Sequence, residues 1–378
     1  MKSKLPQTTD SIFAVMSKMA ADYGAINLSQ GFPNFESDPK LMELVTIAMK
    51  EGHNQYAPMP GNPTLREVIS HKTLTLHGRK YNPATEVTVT AGATQAIFTA
   101  IAAVVEAGDE VIIFTPAYDC YNPTIRLFGG KTVSVQLEAP YYKVDWDRVA
   151  SKVSSRTKLI IINTPHNPTG VIWSEEDMLE LQRIVTAHDL YVISDEVYEH
   201  IIFDGETHQS VAKFAKLGDR SFITASFGKT FHNTGWKLGY CIAPQSMMTE
   251  FRKVHQYNVF SVNSAMQQAL SIYLQKSENY LGLPDFYQQK RDYFLDLIAD
   301  SRFKVLPSKG TYFQMLDYSD ISNEHDVKFA ERLTQEHKLA TIPTSVFNAN
   351  GEDYKQIRVC FAKTEETLKQ ASDILNKI

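Results

Sequence analysis

The sequence predicts an α/β fold, with a mostly parallel sheet covered by helices on both faces and a smaller α+β unit after it. Three observations carry the prediction. Between about residues 85 and 245, short apolar runs rich in β-branched residues alternate with helical patterns, as expected of strands buried on both faces. From about residue 285 the pattern changes to charged helices interleaved with isolated strand-like runs. The length of 378 residues suits one large and one small unit, on a soft prior of roughly 150 residues per domain.

The elements follow in order. Residues 1–40 read as a loop-rich arm, with Gly31-Phe32-Pro33, that joins the small unit; 41–284 form the large unit and 285–378 the small one. Val87 to Thr90 is a strand running through Gly92 into a helix with apolar spacing at Ala96, Ala100, Ala103 and Val104. Glu110 to Phe114 is a strand closed by Thr115-Pro116, and Lys158 to Ile162 one closed by Asn163-Thr164-Pro165. Ser174 opens a helix with Asp177 three residues on, a near capping box. Leu190 to Ser194, Ser221 to Ala225 and Leu238 to Ala243 complete the apolar strands. In the small unit, helices near Gln288 to Ala299 and Asp326 to His337 alternate with strand-like Gly310 to Leu316 and Gln356 to Ala362, before a final helix.

Composition narrows the function. The chain is 43% hydrophobic and 21% charged, with a net charge of -5. That balance argues against nucleic acid or an anionic membrane as partner. No apolar run approaches the roughly 20 residues that span a bilayer, and the N-terminus lacks a signal-peptide pattern. A cytoplasmic location is expected. The three cysteines, Cys120, Cys241 and Cys360, are far apart without a CxxC, and the eleven histidines show no metal-ligand spacing. No metal site is expected.

In parallel sheets, ligands bind beyond the carboxyl ends of the strands, and that is where the polar clusters fall. Lys229, in Ser226-Phe227-Gly228-Lys229-Thr230, follows one strand, and Lys237 lies a few residues on. One lysine can form an imine with an aldehyde, while the other, with the Ser226 hydroxyl, can hold a phosphate. Aldehyde and phosphate on one small molecule describe pyridoxal 5'-phosphate (PLP). Alone, Lys229 reads more readily as a solvated surface charge. Asp195 ends another strand; it can pair with a protonated ring nitrogen or cap a helix. Tyr198 can donate to a phenolic oxygen or simply pack. Asn167, in Asn163-Thr164-Pro165-His166-Asn167-Pro168-Thr169-Gly170, is a turn residue whose amide can face the same crevice. Ala93 and Thr94 open a helix, a ready phosphate site or an ordinary strand-to-helix turn. Tyr118 can stack on a ring or fill the core. Arg358 alternates with apolar residues in Ile357-Arg358-Val359-Cys360-Phe361, so its fork serves either a carboxylate ligand or a structural ion pair.

Taken together these segments, with Leu28-Ser29-Gln30-Gly31-Phe32-Pro33, Asn54-Gln55-Tyr56 and Gly235 to Tyr240, resemble the class I/II aminotransferases of PLP fold type I. The resemblance spans nearly the whole chain and is nearest the methionine and kynurenine (glutamine transaminase K-like) branch. Lys253-Val254-His255-Gln256-Tyr257 and Phe260-Ser261-Val262-Asn263 resemble bacterial methionine aminotransferases in particular.

The resemblance implies a seven-stranded large-domain sheet and PLP as cofactor. It implies that Lys229 carries the imine and then shuttles the proton, and that Asp195 holds the pyridinium. Tyr198 and Asn167 would hold the phenolic oxygen, and Tyr118 would stack on the ring. Ala93, Thr94, Ser226 and Lys237 would bind phosphate, with Tyr56 supplied across a homodimer that shares its active sites. Gly31, Asn167 and Arg358 would take the substrate carboxylate end. An aromatic side-chain pocket (Phe13, Phe32, Tyr56, Tyr118, Phe260), without a second arginine, favours methionine and aromatic amino acids over aspartate or glutamate. The expected reaction is ping-pong transamination between an amino acid and a 2-oxo acid. Kynurenine-type enzymes carry Trp where this chain has Phe13, and some carry His where it has Ser261. A kynurenine or glutamine preference and a cysteine-S-conjugate β-lyase are the rival readings.

Overall fold

The computed structural model describes residues 1–6 and 8–378. Its central sheet has seven strands: β1 Val87–Thr90, β2 Glu110–Thr115, β3 Lys131–Gln136, β4 Thr157–Asn163, β5 Tyr191–Asp195, β6 Ser221–Ser226 and β7 Gly239–Ile242. Their order is β1-β7-β6-β5-β4-β2-β3. All neighbours are parallel except β7, which runs antiparallel to β1 and β6. Six of these strands match the sequence reading to within a residue or two. The seventh, β3, is the half-exposed edge strand Lys-Thr-Val-Ser-Val-Gln, whose polar residues hid it.

Period-two alternation sorts each strand between two cores. Leu159, Ile161, Ile193 and Phe222 face helices Gly92–Val104 and Gln245–Asn258. Ile160, Ile162, Val192 and Ile223 face helices Pro63–His77 and Glu175–Ala187. Burial on both faces leaves the strand ends as the place where polar side chains can meet a ligand. The capping box opening helix Glu175–Ala187 is complete, with Ser174 and Asp177 each accepting from the other's backbone N–H.

A second, antiparallel sheet contains β8 Lys304–Val305, β9 Phe313–Asp317, β10 Ile342–Pro343 and β11 Gln356–Cys360, in the order β10-β11-β9-β8. Arg358 therefore lies in an interior strand, opposite Ile342 and Met315.

Residues 1–40 are less loop-rich than the sequence reading holds. Ile12–Tyr23 is a 12-residue helix, capped by Ser11 at its start and closed by Gly24 in the left-handed conformation. Its Met16 packs with Ala330, Ile342 and Phe347, so the helix is recruited by tertiary burial. The same segment adds Ile26–Asn27 as a parallel strand beside Leu339–Ala340.

The Asn163–Gly170 turn is packed against the second sheet's entry loop. Gly170 has φ +73°, and a Cβ there would fall 2.2 Å from Ser308 Oγ and 3.1 Å from the Gly310 carbonyl. Gly170→Ala combines left-handed strain with overpacking, so it should destabilise the fold by about 2–4 kcal/mol in urea unfolding. A loss below about 0.5 kcal/mol would mean that the turn yields freely.

Candidate active site

The carboxyl ends of β1, β4, β5 and β6 surround a cavity of about 360 Å³. Strand register builds its floor. Asn163 at the end of β4 lies beside Asp195 at the end of β5, and Asp195 lies beside Thr224 in β6. Asn163 Nδ2 donates to the Asp195 carbonyl (2.9 Å), and Asn163 Oδ1 accepts from Asn167 N (2.8 Å). The turn is thus tied to the strand end, and Asn167 faces the cavity.

Asp195 is buried. Its Oδ2 accepts from Tyr121 Oη at 2.5 Å, while Oδ1 has no partner among the described residues. Burial raises its carboxyl to about 6, against the Tyr121 hydroxyl, the Val197 N–H and the Lys229 charge, which favour ionisation. No helix starts at Asp195, so helix capping does not explain it. A buried carboxylate oxygen without a donor is costly, and it faces a cavity.

Lys229 sits in a short turn of helix, Phe227–Thr230, whose N-cap Ser226 accepts from Lys229 N. It lines the cavity, and its Nζ donates to the Gly31 carbonyl at 2.8 Å. Burial lowers the ammonium to about 8. Arg358 and Lys237 push the same way, against Cys360 and Asp195. Lys229 is therefore no solvated surface charge. The rings of Tyr198 and Tyr312 lie 5.9 and 5.6 Å from its Nζ.

Arg358 is fully buried and has no carboxylate partner among the described residues. Nη1 donates to Asn167 Oδ1 (2.7 Å), Nη2 donates to the Ser29 carbonyl (2.9 Å), and Nε has no partner. Its guanidinium stacks 3.8 Å from the Phe313 ring and 5.1 Å from Phe13. Burial lowers it to about 10. Neither a structural ion pair nor a solvent-facing edge accounts for it. An anion entering the cavity does.

Helix Gly92–Val104 also begins beside the cavity, and its N-cap, Ala91, offers no side-chain cap to the first N–H groups. Gly92 has φ +77°, and a Cβ there would lie 3.6 Å from Lys237 Nζ. Ala93, Thr94, Ser226 and Lys237 all line this end. Free helix-start donors beside a lysine and a serine hydroxyl make an anion cradle.

Tyr118, Phe13 and Gly31 also line the cavity. Tyr56 and Phe260 do not. Tyr56 is 82% exposed and Phe260 45%, and their rings meet edge to face at 5.4 Å beside a separate surface groove. Phe32 is likewise exposed, under Lys363 Nζ at 4.9 Å. The side-chain pocket within one chain is therefore smaller than the sequence reading holds. Two further residues belong to the site. Tyr121 anchors Asp195, and Tyr312 Oη donates to the Gly31 carbonyl at 2.6 Å. Tyr121 follows Tyr118 by three residues, but its partner lies 74 positions away, which no local pattern reveals.

The residues fit PLP. The free Asp195 oxygen suits a protonated ring nitrogen, the cradle suits a phosphate, and a lysine with its charge held down suits an aldehyde. Residues 23–375 match the family model for aminotransferase class I and II, and the chain belongs to that family, whose members use PLP. The chain is 48% identical to a methionine aminotransferase of Escherichia coli (strain K12), over 100% of this chain and 98% of that one. It is 35% identical to a kynurenine–oxoglutarate transaminase of Dictyostelium discoideum, over 97% and 94%. The solved structure of YbdL from Escherichia coli, described as having a methionine aminotransferase function, superimposes with a TM-score of 0.97 at 48% identity, covering 100% of this chain and 99% of that one. The chain is a PLP-dependent aminotransferase of the α/β type.

Proposed function

We propose that this aminotransferase moves the amino group of methionine, and of other neutral sulfur-containing or aromatic amino acids, to a 2-oxo acid by a ping-pong route. The observation that carries the reading is Arg358, a buried cation without a carboxylate partner, in a cavity whose other walls include Phe13, Tyr118 and Phe313. The methionine aminotransferase relative supports it. The kynurenine transaminase relative supports aromatic substrates as a second range.

The residues take separable roles. Arg358 grips the α-carboxylate with its planar fork, assisted by the Asn167 amide it already holds. PLP, when bound, supplies the electron sink that makes the substrate Cα proton removable. Asp195 Oδ1 would hold the ring nitrogen protonated, while Tyr198 and Asn167 would hold the phenolic oxygen and Tyr118 the ring face. Ala93, Thr94, Ser226 and Lys237 would hold the phosphate. Lys229 would tether the cofactor through its Nζ, and the same amine, in its neutral form, is the group placed to take the substrate Cα proton. A lysine held near 8 is neutral often enough at ordinary pH to do this.

The exposed Tyr56–Phe260 pair supports a homodimer in which each Tyr56 reaches the other copy's phosphate cradle. Pairing of Ile26–Asn27 with Leu339–Ala340 supports grouping the arm, 1–40, with residues 285–378 against 41–284. Among the described residues no helix is long and apolar enough to cross a membrane. The three cysteines, all free of disulfides among the described residues, support a cytoplasmic setting.

A panel of amino acids against several 2-oxo acids tests the reading. Methionine and aromatic donors should lead; if aspartate or glutamate leads by tenfold, it fails. Asp195→Asn adds a second check on the cofactor-free chain. The carboxyl is raised from an ordinary 3.8 to about 6. Between these values the folded state binds more protons at Asp195 than the unfolded, so this carboxyl's contribution to stability is fully present below about 4 and is lost as pH rises through about 6. The loss should be about 3 kcal/mol, and Asp195→Asn should abolish it. The same variant should weaken PLP uptake by about 30-fold or more, since one partner of a buried charged pair is removed.

A further inference from the structure

The cavity holds one charged group to which the reaction gives no task. Asp119 lines it beside Tyr118 and is half-buried, and no side-chain hydrogen bond joins it to another of the described residues. It forms no ion pair among the described residues. Of the other charged groups lining the cavity, Lys237 would serve the phosphate, Asp195 the ring nitrogen and Lys229 the proton transfer. Arg358 is spoken for by the α-carboxylate. Asp119 adjoins Tyr118, whose ring lies 6.4 Å from that of Phe13, itself 5.1 Å from the Arg358 guanidinium, and this shared wall is the one a substrate held by Arg358 would meet. Once a substrate carboxylate neutralises Arg358, nothing cationic is left to balance Asp119.

We propose that Asp119 is a specificity-determining residue that turns away substrates carrying a second, distal carboxylate and admits neutral side chains or those ending in an N–H donor. The proposal rests on the transaminase reading above and deepens it. The aromatic walls explain why apolar side chains gain by entering; they do not by themselves reject a dicarboxylic acid, which could leave its second carboxylate in water. A fixed carboxylate at the same place does reject it, because like charges brought together in a part-buried cavity repel strongly. It also gives an acceptor to imidazole, indole, aniline or amide N–H groups. Phe13 and Phe313 line the same cavity and supply its apolar surface. Burial raises the Asp119 carboxyl above its ordinary value, while the Arg358 charge and the backbone N–H draw it down.

The test measures kcat/KM of the PLP-loaded enzyme for glutamate and for methionine, and for 2-oxoglutarate and phenylpyruvate, in wild type, Asp119→Asn and Asp119→Glu. The dicarboxylate-to-neutral ratio should rise about 10- to 100-fold in Asp119→Asn and return towards wild type in Asp119→Glu. Inhibition by succinate against inhibition by 3-phenylpropionate should shift in the same sense, which reads binding without turnover. A ratio within about twofold of wild type in both measurements would overturn the proposal while leaving the transaminase reading intact. A wild-type enzyme that already prefers glutamate would overturn both.

Discussion

Lys229→Ala should abolish transamination, lowering kcat/KM by at least about 10⁴-fold. Proton transfer by a positioned base is itself worth about 10² to 10⁴, and loss of the covalent tether adds to it. The cradle and Asp195 remain, so the variant should still bind PLP, but without a bond to the protein. A small added primary amine should restore part of the rate, because the missing group is a base and not a piece of scaffold. Residual activity above about 1% without added amine would show that another group moves the proton. The charge state adds a check on pH. Only the neutral amine reacts, and burial sets its titration near 8 in place of the ordinary 10.5. Attachment of PLP to the cofactor-free chain should therefore speed up as pH rises through about 8 and level off above it. A rate still climbing towards pH 10 would mean that the lysine is not desolvated.

Arg358→Leu should lower kcat/KM by about 30- to several-thousand-fold, the span expected when one partner of a buried charged pair is removed. The loss should be equal for amino acids and 2-oxo acids, since both present the same carboxylate. Stability should hardly change, within about 1 kcal/mol in urea unfolding. The substitution removes hydrogen bonds to Asn167 and Ser29 and a stacking contact with Phe313, but it also removes a buried, unpaired cation, and replacing such groups by apolar ones is often neutral. Arg358→Lys should be nearly as inactive, because a point charge cannot reproduce the fork. A large fall in stability with unchanged kinetics would make Arg358 a structural residue.

Much of this was legible in the residues. β4, β5 and β6 are near-continuous apolar runs, and Asn163, Asp195 and Ser226 end them, so the crevice follows from the parallel-sheet rule alone. What was not legible depends on contacts between distant segments. The helix Ile12–Tyr23 forms against Ala330 and Ile342. The edge strand β3 is polar because one side of it has no neighbour. Tyr121 and Tyr312 read as ordinary packed aromatics until the fold brings Asp195 and Gly31 to their hydroxyls. Phe260 fits an aromatic pattern, yet its left-handed backbone (φ 67°) turns it to the surface beside Tyr56.

The Gly31 carbonyl accepts at once from Lys229 and from Tyr312, partners 198 and 281 positions further along the chain. Arg358 meets Ser29 across 329 positions. Three loops of very different length must close before these atoms meet, and closures of such long range come late in folding. On the ribosome, the carboxylate grip stays incomplete until residue 358 has emerged, so a nascent chain carries the lysine long before it can select a substrate.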